Sequence, residues 1–361
     1  MRVGFFSPTI LNVGGGEWVT LNMINALAAK KHEIIVYSAK KINHESISRF
    51  FGHDLTFHRE VLISPNFFNP YDLENIYPNL AKSYMFSKTC NFLIDSFSNS
   101  IFPWVDAVYF NGRPKVTQLP GGRKGFIFVP YEAIIRRSLK RYKDGQKTLM
   151  ACSRFLAGTI EGLTGLKTEV LYPPVSGFFG DGLNVSLKSD TVVTVTRISN
   201  DKRPETIPLI AKLLPDDISF VIIGSCRLSG EVPVLKKLQK CIHSLHVEDR
   251  VKLLLNVSRE KQREVLQSSK VYLHPLVPYE AFGISVVEAM SAGCVPVAPD
   301  IAGLREIVPS QLRYTTIEEA ASKVRESLTN WSPVKADEFV KIADKFNQTE
   351  FNRNFLKITG L

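Results

Sequence analysis

Two carboxylates, Glu280 and Glu288, sit eight residues apart in the run Pro278-Tyr279-Glu280-Ala281-Phe282-Gly283-Ile284-Ser285-Val286-Val287-Glu288-Ala289-Met290. Most of their neighbours are apolar, and a carboxylate in such surroundings is costly to bury unless something binds it. The order of acid, Phe282-Gly283, apolar run and second acid predicts a loop carrying Glu280. A helix then starts near Gly283, with Glu288 about one and a half turns in. Such a helix aims its first-turn N–H groups and the positive end of its dipole at whatever occupies the loop. That is a seat for an anion. Acids on both sides of the seat fit a ligand with hydroxyls flanking a phosphate, which is the chemistry of a nucleotide sugar.

Other residues point the same way. Arg197 and Lys202 lie in Thr196-Arg197-Ile198-Ser199-Asn200-Asp201-Lys202-Arg203-Pro204, just after an expected strand. Two cations on one strand-to-helix loop can both reach a diphosphate, Arg by its planar fork and Lys as a point charge. The alternative is a solvated basic loop. Gly14-Gly15-Gly16 precedes an expected helix and permits close backbone approach. It is not Gly-x-Gly-x-x-Gly, no acid ends the following strand, and no Gly-Lys-Ser/Thr occurs, which counts against a nicotinamide dehydrogenase and a kinase-like nucleotide hydrolase. His274, in Leu273-His274-Pro275, reads as a structural hydrogen-bonding residue. No His or acidic cluster has metal-ligand spacing, so no metal site and no cofactor are expected.

The elements that must position these residues follow from the alternation of short apolar runs with helical periodicity. Val3–Phe6, a helix through Glu17–Ala29 and Glu33–Tyr37 form a β-α-β unit of a parallel sheet. Further strands are expected at Ala107–Phe110, Gly125–Val129, Thr148–Ala151 and Glu169–Tyr172. From Pro173 to Asp190 the composition shifts to Pro, Gly, Ser and Asp and reads as an interdomain linker. A second set has strands at Thr191–Val195, Ser219–Ile223, Val251–Leu254, Val271–Leu273 and Val295–Ala298. Its helices fall near Arg203–Leu214, Val234–Leu245, Arg259–Ser268 and Gly283–Ala292. A last helical stretch spans Lys335 to Lys357. The expectation is α/β: two doubly wound domains facing one another, with ligands at the carboxyl ends of the strands.

With 44% apolar and 22% charged residues over 361 positions, the chain reads as globular and long enough for two domains. No apolar run reaches the ~20 residues that span a bilayer. The opening residues turn at Ser7-Pro8 too soon for a secretory signal. Five scattered cysteines without Cys-x-x-Cys fit a reduced, cytoplasmic setting. The net charge of +10 is uneven, with 21 Lys and Arg against 14 Asp and Glu in residues 1–185. Residues 134–147 hold Arg136, Arg137, Lys140, Arg141, Lys143 and Lys147 among Ile134, Ile135, Leu139 and Tyr142. On a helix this gives a basic face beside an apolar one, suited to an anionic membrane surface or to solvent. No nucleic-acid motif accompanies the charge.

At these motifs the chain resembles the retaining nucleotide-sugar glycosyltransferases of the family-four GT-B group, whose hallmark is Glu-x7-Glu. The resemblance runs from Gly14-Gly15-Gly16 through Tyr172-Pro173-Pro174-Val175, Arg197 and Lys202 to the Glu280–Gly293 run and Gly303-Leu304-Arg305-Glu306-Ile307-Val308. Within that group, Ile223-Gly224-Ser225-Cys226-Arg227 and Leu255-Asn256-Val257-Ser258 are similar to the dolichol-pathway branch that adds α-1,2-mannoses from GDP-mannose. The resemblance implies a GT-B fold of two Rossmann-like domains across a cleft: residues 1–180 for the acceptor, 181–340 for the nucleotide sugar, and 341–361 a helix crossing back. Arg197 and Lys202 would hold the donor diphosphate. Glu280, with the N–H groups of Phe282, Gly283 and Ile284, would bind the donor sugar and distal phosphate, and Glu288 the ribose. Gly15 and Gly16 would let the first domain close on the diphosphate, and the base would lie near Gly224, Asn256 and Val257. Many members carry a His after the fourth strand of the first domain. Here Asp106-Ala107-Val108-Tyr109-Phe110-Asn111-Gly112 has none, and Asn111 stands for it.

The resulting expectation is a metal-independent hexosyl transfer, mannose from GDP-mannose for preference, to a glycan or polyprenyl-linked acceptor, on the cytoplasmic side and peripheral to a membrane. The aromatic region from Phe67-Phe68-Asn69-Pro70-Tyr71 through Trp104 is read as a lipid-facing groove. A UDP-sugar transferase, a GT-B epimerase and a non-catalytic sugar-nucleotide binder remain as alternatives. A glycosidase is disfavoured, because the neighbours of the two acids suit phosphate rather than a water nucleophile.

Overall fold

The computed structural model describes the whole chain except residues 13, 53–55, 64–75, 115–124, 144, 146 and 228. It divides into two compact units, Met1–Pro174 with Gln348–Leu361, and Val175–Asn347.

The first unit has seven strands: β1 Arg2–Phe6, β2 Glu33–Tyr37, β3 Arg59–Val61, β4 Phe92–Asp95, β5 Ala107–Phe110, β6 Thr148–Ala151 and β7 Glu169–Val170. They lie in the order β3-β2-β1-β4-β5-β6-β7, and every pairing is parallel. The helices are α1 Gly15–Ala29, α2 His44–Phe51, α3 Ile76–Ser87, α4 Gly125–Lys143 and α5 Arg154–Thr164. The strands are continuous apolar runs because a parallel sheet covered by helices is buried on both faces. Val3, Phe5, Phe6, Ile34, Ile35 and Val36 are accordingly fully buried.

The second unit repeats the plan with β8 Ser189–Arg197, β9 Ser219–Ser225, β10 Val251–Leu255, β11 Ser269–Leu273, β12 Val295–Pro299 and β13 Arg313–Tyr314. Their order is β10-β9-β8-β11-β12-β13, again parallel throughout. The helices are α6 Thr206–Lys212, α7 Val232–Ser244, α8 Arg259–Ser268, α9 Ile284–Ser291, α10 Leu304–Ile307, α11 Ile317–Thr329 and α12 Pro333–Asp344. A last helix, α13 Gln348–Thr359, returns to the first unit, where it packs on α1 and buries Phe351 and Phe355. In each sheet the winding direction reverses once, between β1 and β4 and between β8 and β11. Loops leaving a sheet at such a reversal part to opposite sides and open a crevice at the carboxyl ends of the strands.

Three expectations change. The apolar run Gly125–Val129 is the first turn of α4 rather than a strand. A short apolar run fits either structure, and here it continues into the helical periodicity of residues 131–143. Residues 173–190 are not a loose connection: short 3-10 turns at Gly177–Phe179 and Val185–Leu187 bury Val175 and Phe179, and Ser189 already begins β8. The stretch Lys335–Lys357 is two helices, broken at residues 345–347. There the backbone N–H of Val175 donates to Phe346 O at 2.7 Å.

Candidate functional site

In the second unit, β8 and β11 deliver the chemistry to the crevice. After β8 the chain makes a 3-10 turn, Asn200–Lys202, that ends on Lys202. After β11 it runs through His274 and Glu280 before α9 begins. The Lys202 ammonium lies 2.6 Å from Glu280 Oε2, with the two side chains only 22% and 15% exposed. Water screens a partly buried pair at that distance poorly, so the two charges couple more strongly than a surface ion pair does, against a larger cost of desolvation.

His274 completes the group. Its Nδ1 faces the Pro275 carbonyl at 3.0 Å, and its Nε2 lies 3.4 Å from the same Glu280 oxygen that Lys202 holds. Burial raises the Glu280 carboxyl pKa, but the Lys202 charge and the His274 and Lys202 hydrogen bonds outweigh burial and hold it well below the usual carboxylate range. The loop is pinned from several sides. His274 N–H donates to Val297 O and Leu276 N–H to the Thr206 hydroxyl, while the Tyr314 hydroxyl donates to His274 O. Gly303 N–H donates to Glu280 O at 3.1 Å. A Cβ on Gly303 would stand 2.0 Å from Ala281 O, so only glycine lets the strand-β12 loop lie this close.

Helix α9 opens from Gly283, held at φ +101°, with no side-chain cap on its first turn. Its opening N–H groups are therefore available to an anion beside Lys202. Phe282 is buried and packs edge-on against Phe346, so its side chain belongs to the core and only its backbone is offered to a ligand.

Glu288 lies on α9 with its side chain 13% exposed. Burial raises its carboxyl pKa; the Arg259 guanidinium at 3.8 Å and a long 3.5 Å contact from Gln262 Nε2 offset that only in part. Arg259 in turn lies over the Phe179 ring, 4.8 Å from its centroid. Glu280 is thus a satisfied carboxylate, while Glu288 is an under-satisfied one.

The remaining predicted residues fall at the same ends of the two sheets. Arg197 closes β8 but is exposed and pairs with Asp201 at 3.1 Å. Gly224 lies near the end of β9. The Asn256 side chain is occupied by the loop after β9, accepting from Cys226 N–H and donating to Cys226 O, both at 2.9 Å, with half-exposed Val257 next to it. In the first unit, Gly15 and Gly16 form the first turn of α1, and Asn111 follows β5. Sequence reasoning missed the second contact of His274, the role of Gly303 and the Arg259–Phe179 stack. No short spacing marks them, since their partners lie 6, 22 and 80 positions away along the chain.

The basic stretch is half as expected. On α4, Arg136, Arg137, Lys140, Arg141 and Lys143 are exposed. Tyr131, Ile135 and Tyr142 are buried in the unit, so the helix's apolar side faces the core rather than a membrane. Lys147 also turns inward, to Val105 O and Asp106. Residues 67–71 of the proposed aromatic groove lie outside the described residues. Trp104 stacks on Phe102 and donates to the Ser83 hydroxyl.

Two doubly wound parallel sheets, each reversing its strand order once, define the GT-B class of glycosyltransferase folds. HepE of Anabaena in complex with UDP-glucose superposes over 100% of both chains with a TM-score of 0.74 at 17% identity, a likeness of fold. Residues 181–345, nearly all of the second unit, match the family model described as glycosyl transferases group 1. Among curated relatives, a GDP-Man:Man(3)GlcNAc(2)-PP-Dol alpha-1,2-mannosyltransferase of Dictyostelium discoideum is 30% identical over 151 residues, 40% of this chain and 29% of the relative. A phosphatidylinositol N-acetylglucosaminyltransferase subunit of Saccharomyces cerevisiae is 29% identical over 127 residues, 34% of this chain and 26% of the relative. The chain therefore spans less than a third of the length of either relative.

Proposed function

We propose that this chain transfers a hexosyl group from a nucleoside-diphosphate sugar to a glycan or lipid-linked acceptor, with retention of configuration and without a metal. The observation that carries this reading is the Lys202–Glu280 pair set across the β8/β11 reversal beside the uncapped start of α9. As the glycosidic bond breaks, negative charge grows on the diphosphate leaving group. Lys202, the α9 N–H groups and Arg197, once released from Asp201, are the preorganised positive groups that would meet it. Glu280 would accept from donor-sugar hydroxyls, Glu288 from the ribose, and the departing phosphate oxygen would take the acceptor proton.

The mannosyltransferase relative supports GDP-mannose as donor. The N-acetylglucosaminyltransferase relative supports the UDP-sugar alternative, so the donor panel must hold both. Both relatives are named for lipid-linked acceptors, and among the described residues no helix is long and apolar enough to cross a membrane. Acceptor access at a membrane would then rest on the exposed basic face of α4, acting by charge.

Incubation with GDP-mannose and UDP-sugars, with and without a polyprenyl-linked glycan, tests the reading through nucleotide release and the anomeric configuration of the product. Acceptor-dependent release, lost in Lys202→Ala and unaffected by EDTA, is expected. Release that survives both Lys202→Ala and Glu280→Ala unchanged removes the assigned site, and an inverted product removes the stereochemical reading. Flotation with anionic vesicles tests the membrane component: charge reversal at Arg136, Arg137, Lys140 and Arg141 should abolish recovery, and equal recovery counts against docking.

A further inference from the structure

The first unit's crevice holds a network of neutral side chains whose orientation follows from backbone groups alone. Asn99 Oδ1 accepts from the backbone N–H of Asn111 at 3.0 Å and of Gly112 at 3.2 Å. A backbone N–H can only donate, so this atom is the amide oxygen and the other terminus of Asn99 is Nδ2. That Nδ2 lies 3.0 Å from the Asn111 side chain, which must answer with its own oxygen. Asn111 therefore turns Nδ2 the other way, toward Ser96 O at 3.4 Å and toward α1. A Cβ on Gly16 would stand 2.8 Å from this Nδ2, so the amide occupies the space that a side chain at position 16 would need. Ser96 is tied to α1 as well, accepting from the Thr20 hydroxyl at 2.8 Å. Asn99 itself sits at φ +50°, a left-handed conformation that asparagine tolerates better than most residues.

We infer that Asn99 is a positioning residue that locks the half-buried Asn111 amide as a hydrogen-bond donor against Gly16, at the carboxyl ends of β4 and β5. The Asn111 oxygen is taken by Asn99, and only one Nδ2 hydrogen goes to Ser96 among the described residues. The locked amide therefore addresses a ligand oxygen, that of a hydroxyl or phosphate, and not a donor such as an ammonium group. This gives Gly16 a role different from closure on a diphosphate: it makes room for the amide. The functional part of the inference rests on the glycosyl-transfer reading; the packing part does not.

Asn99→Asp separates the two. The isosteric acid still accepts from the two backbone N–H groups, but its second oxygen faces the Asn111 oxygen and forces that amide to turn over, presenting an acceptor. In the full chain, with GDP-mannose or UDP-sugars and a polyprenyl-linked glycan, kcat should fall by at least about tenfold while the KM for donor stays within about threefold. The melting temperature should stay close to wild type. Wild-type turnover in Asn99→Asp overturns the inference, and so does a loss of activity that only tracks a collapse of the melting temperature. The packing is read without turnover. Gly16→Ala should lower the melting temperature in wild type, yet leave it unchanged or raise it in an Asn111→Ala background, where Ala is the better helix former. Equal lowering in both backgrounds sinks the inference even if transfer is confirmed. A chain inert toward every donor, but showing that reversal, refutes the transferase reading and leaves the locked amide standing.

Discussion

The two units share one winding plan but end their sheets in different chemistry. At the reversal of the second unit the chain places a lysine, two partly buried carboxylates and an arginine; at that of the first, amides and hydroxyls from Asn99, Asn111, Ser96 and Thr20. The first unit does hold a buried acid there, Asp95, but its carboxylate is filled by the N–H groups of Phe97 and Ser98 and by the Ser98 hydroxyl, and it only shapes the loop. At the two sheet reversals, charge that is incompletely matched by protein thus lies in the second unit. A diphosphate needs such charge, whereas a sugar or glycan needs aimed neutral hydrogen bonds.

The sharpest way to break this contrast is to remove charge from the second unit. Lys202→Ala or Glu280→Ala should lower transfer by about 10²–10³, the usual loss for a preorganised electrostatic group, measured as nucleotide release. The next effect is structural. Gly303→Ala should cost about 3 kcal/mol in urea unfolding, because its Cβ meets the Ala281 carbonyl, a backbone atom that cannot swing away. A loss below about 0.5 kcal/mol, the range of ordinary surface substitutions, would mean that the two loops separate easily.

The two carboxylates of the second unit should then titrate with opposite signs. Glu280 has a depressed pKa when folded, so its contribution is present above the ordinary carboxylate range, near pH 4.3, and is lost as pH falls toward the folded value. Glu288 has a raised one, so its contribution is present below about pH 4.3 and is lost as pH rises through the folded value. At neutral pH, Glu288→Gln should therefore raise the melting temperature slightly while weakening nucleotide binding about tenfold, as a hydrogen bond to a charged group is lost. A lower melting temperature in that variant would show that Arg259 already compensates Glu288. The smallest effect is expected at Arg259→Lys, which keeps the charge but stacks less well on Phe179. Nucleotide affinity should fall a fewfold, seen as a smaller ligand-induced thermal shift.

The second unit was far more legible in sequence than the first. Strands β8 to β12 and helices α6 to α9 follow the apolar periodicity closely, and α8 runs from Arg259 to Ser268, the range expected, whereas β13, α10 and α11 were not anticipated. Glu280 and Glu288 stand out because charge amid apolar residues is conspicuous, and Lys202 because it shares a strand-to-helix loop with Arg197. The first unit hides its design. Strand β4, Phe92–Asp95, is four residues long and escaped notice, and without it Asn99 had no place at a strand end. Asn99 and Asn111 lie among ordinary polar residues, and what matters about them is which way each amide points. That depends on the backbone of residues 111 and 112 lying across a sheet from residue 99, a relation that one-dimensional spacing does not carry. The run Gly125–Val129 misled for the opposite reason, since its local pattern was strong and the helix around it decided its state.

The return of α13 to α1 has a practical consequence for dissection. The stretch Val175–Asn347 is inserted into a unit whose own sequence resumes only at Gln348. Expressed alone, the inserted piece retains all its strands and the acid–lysine pair, and is the natural minimal fragment for crystallography with nucleotides. A fragment stopping at Pro174 would leave the α1 surface that Phe351 and Phe355 cover open to water, inviting aggregation. Joining 1–174 to 348–361 through a short flexible tether should restore that missing cover.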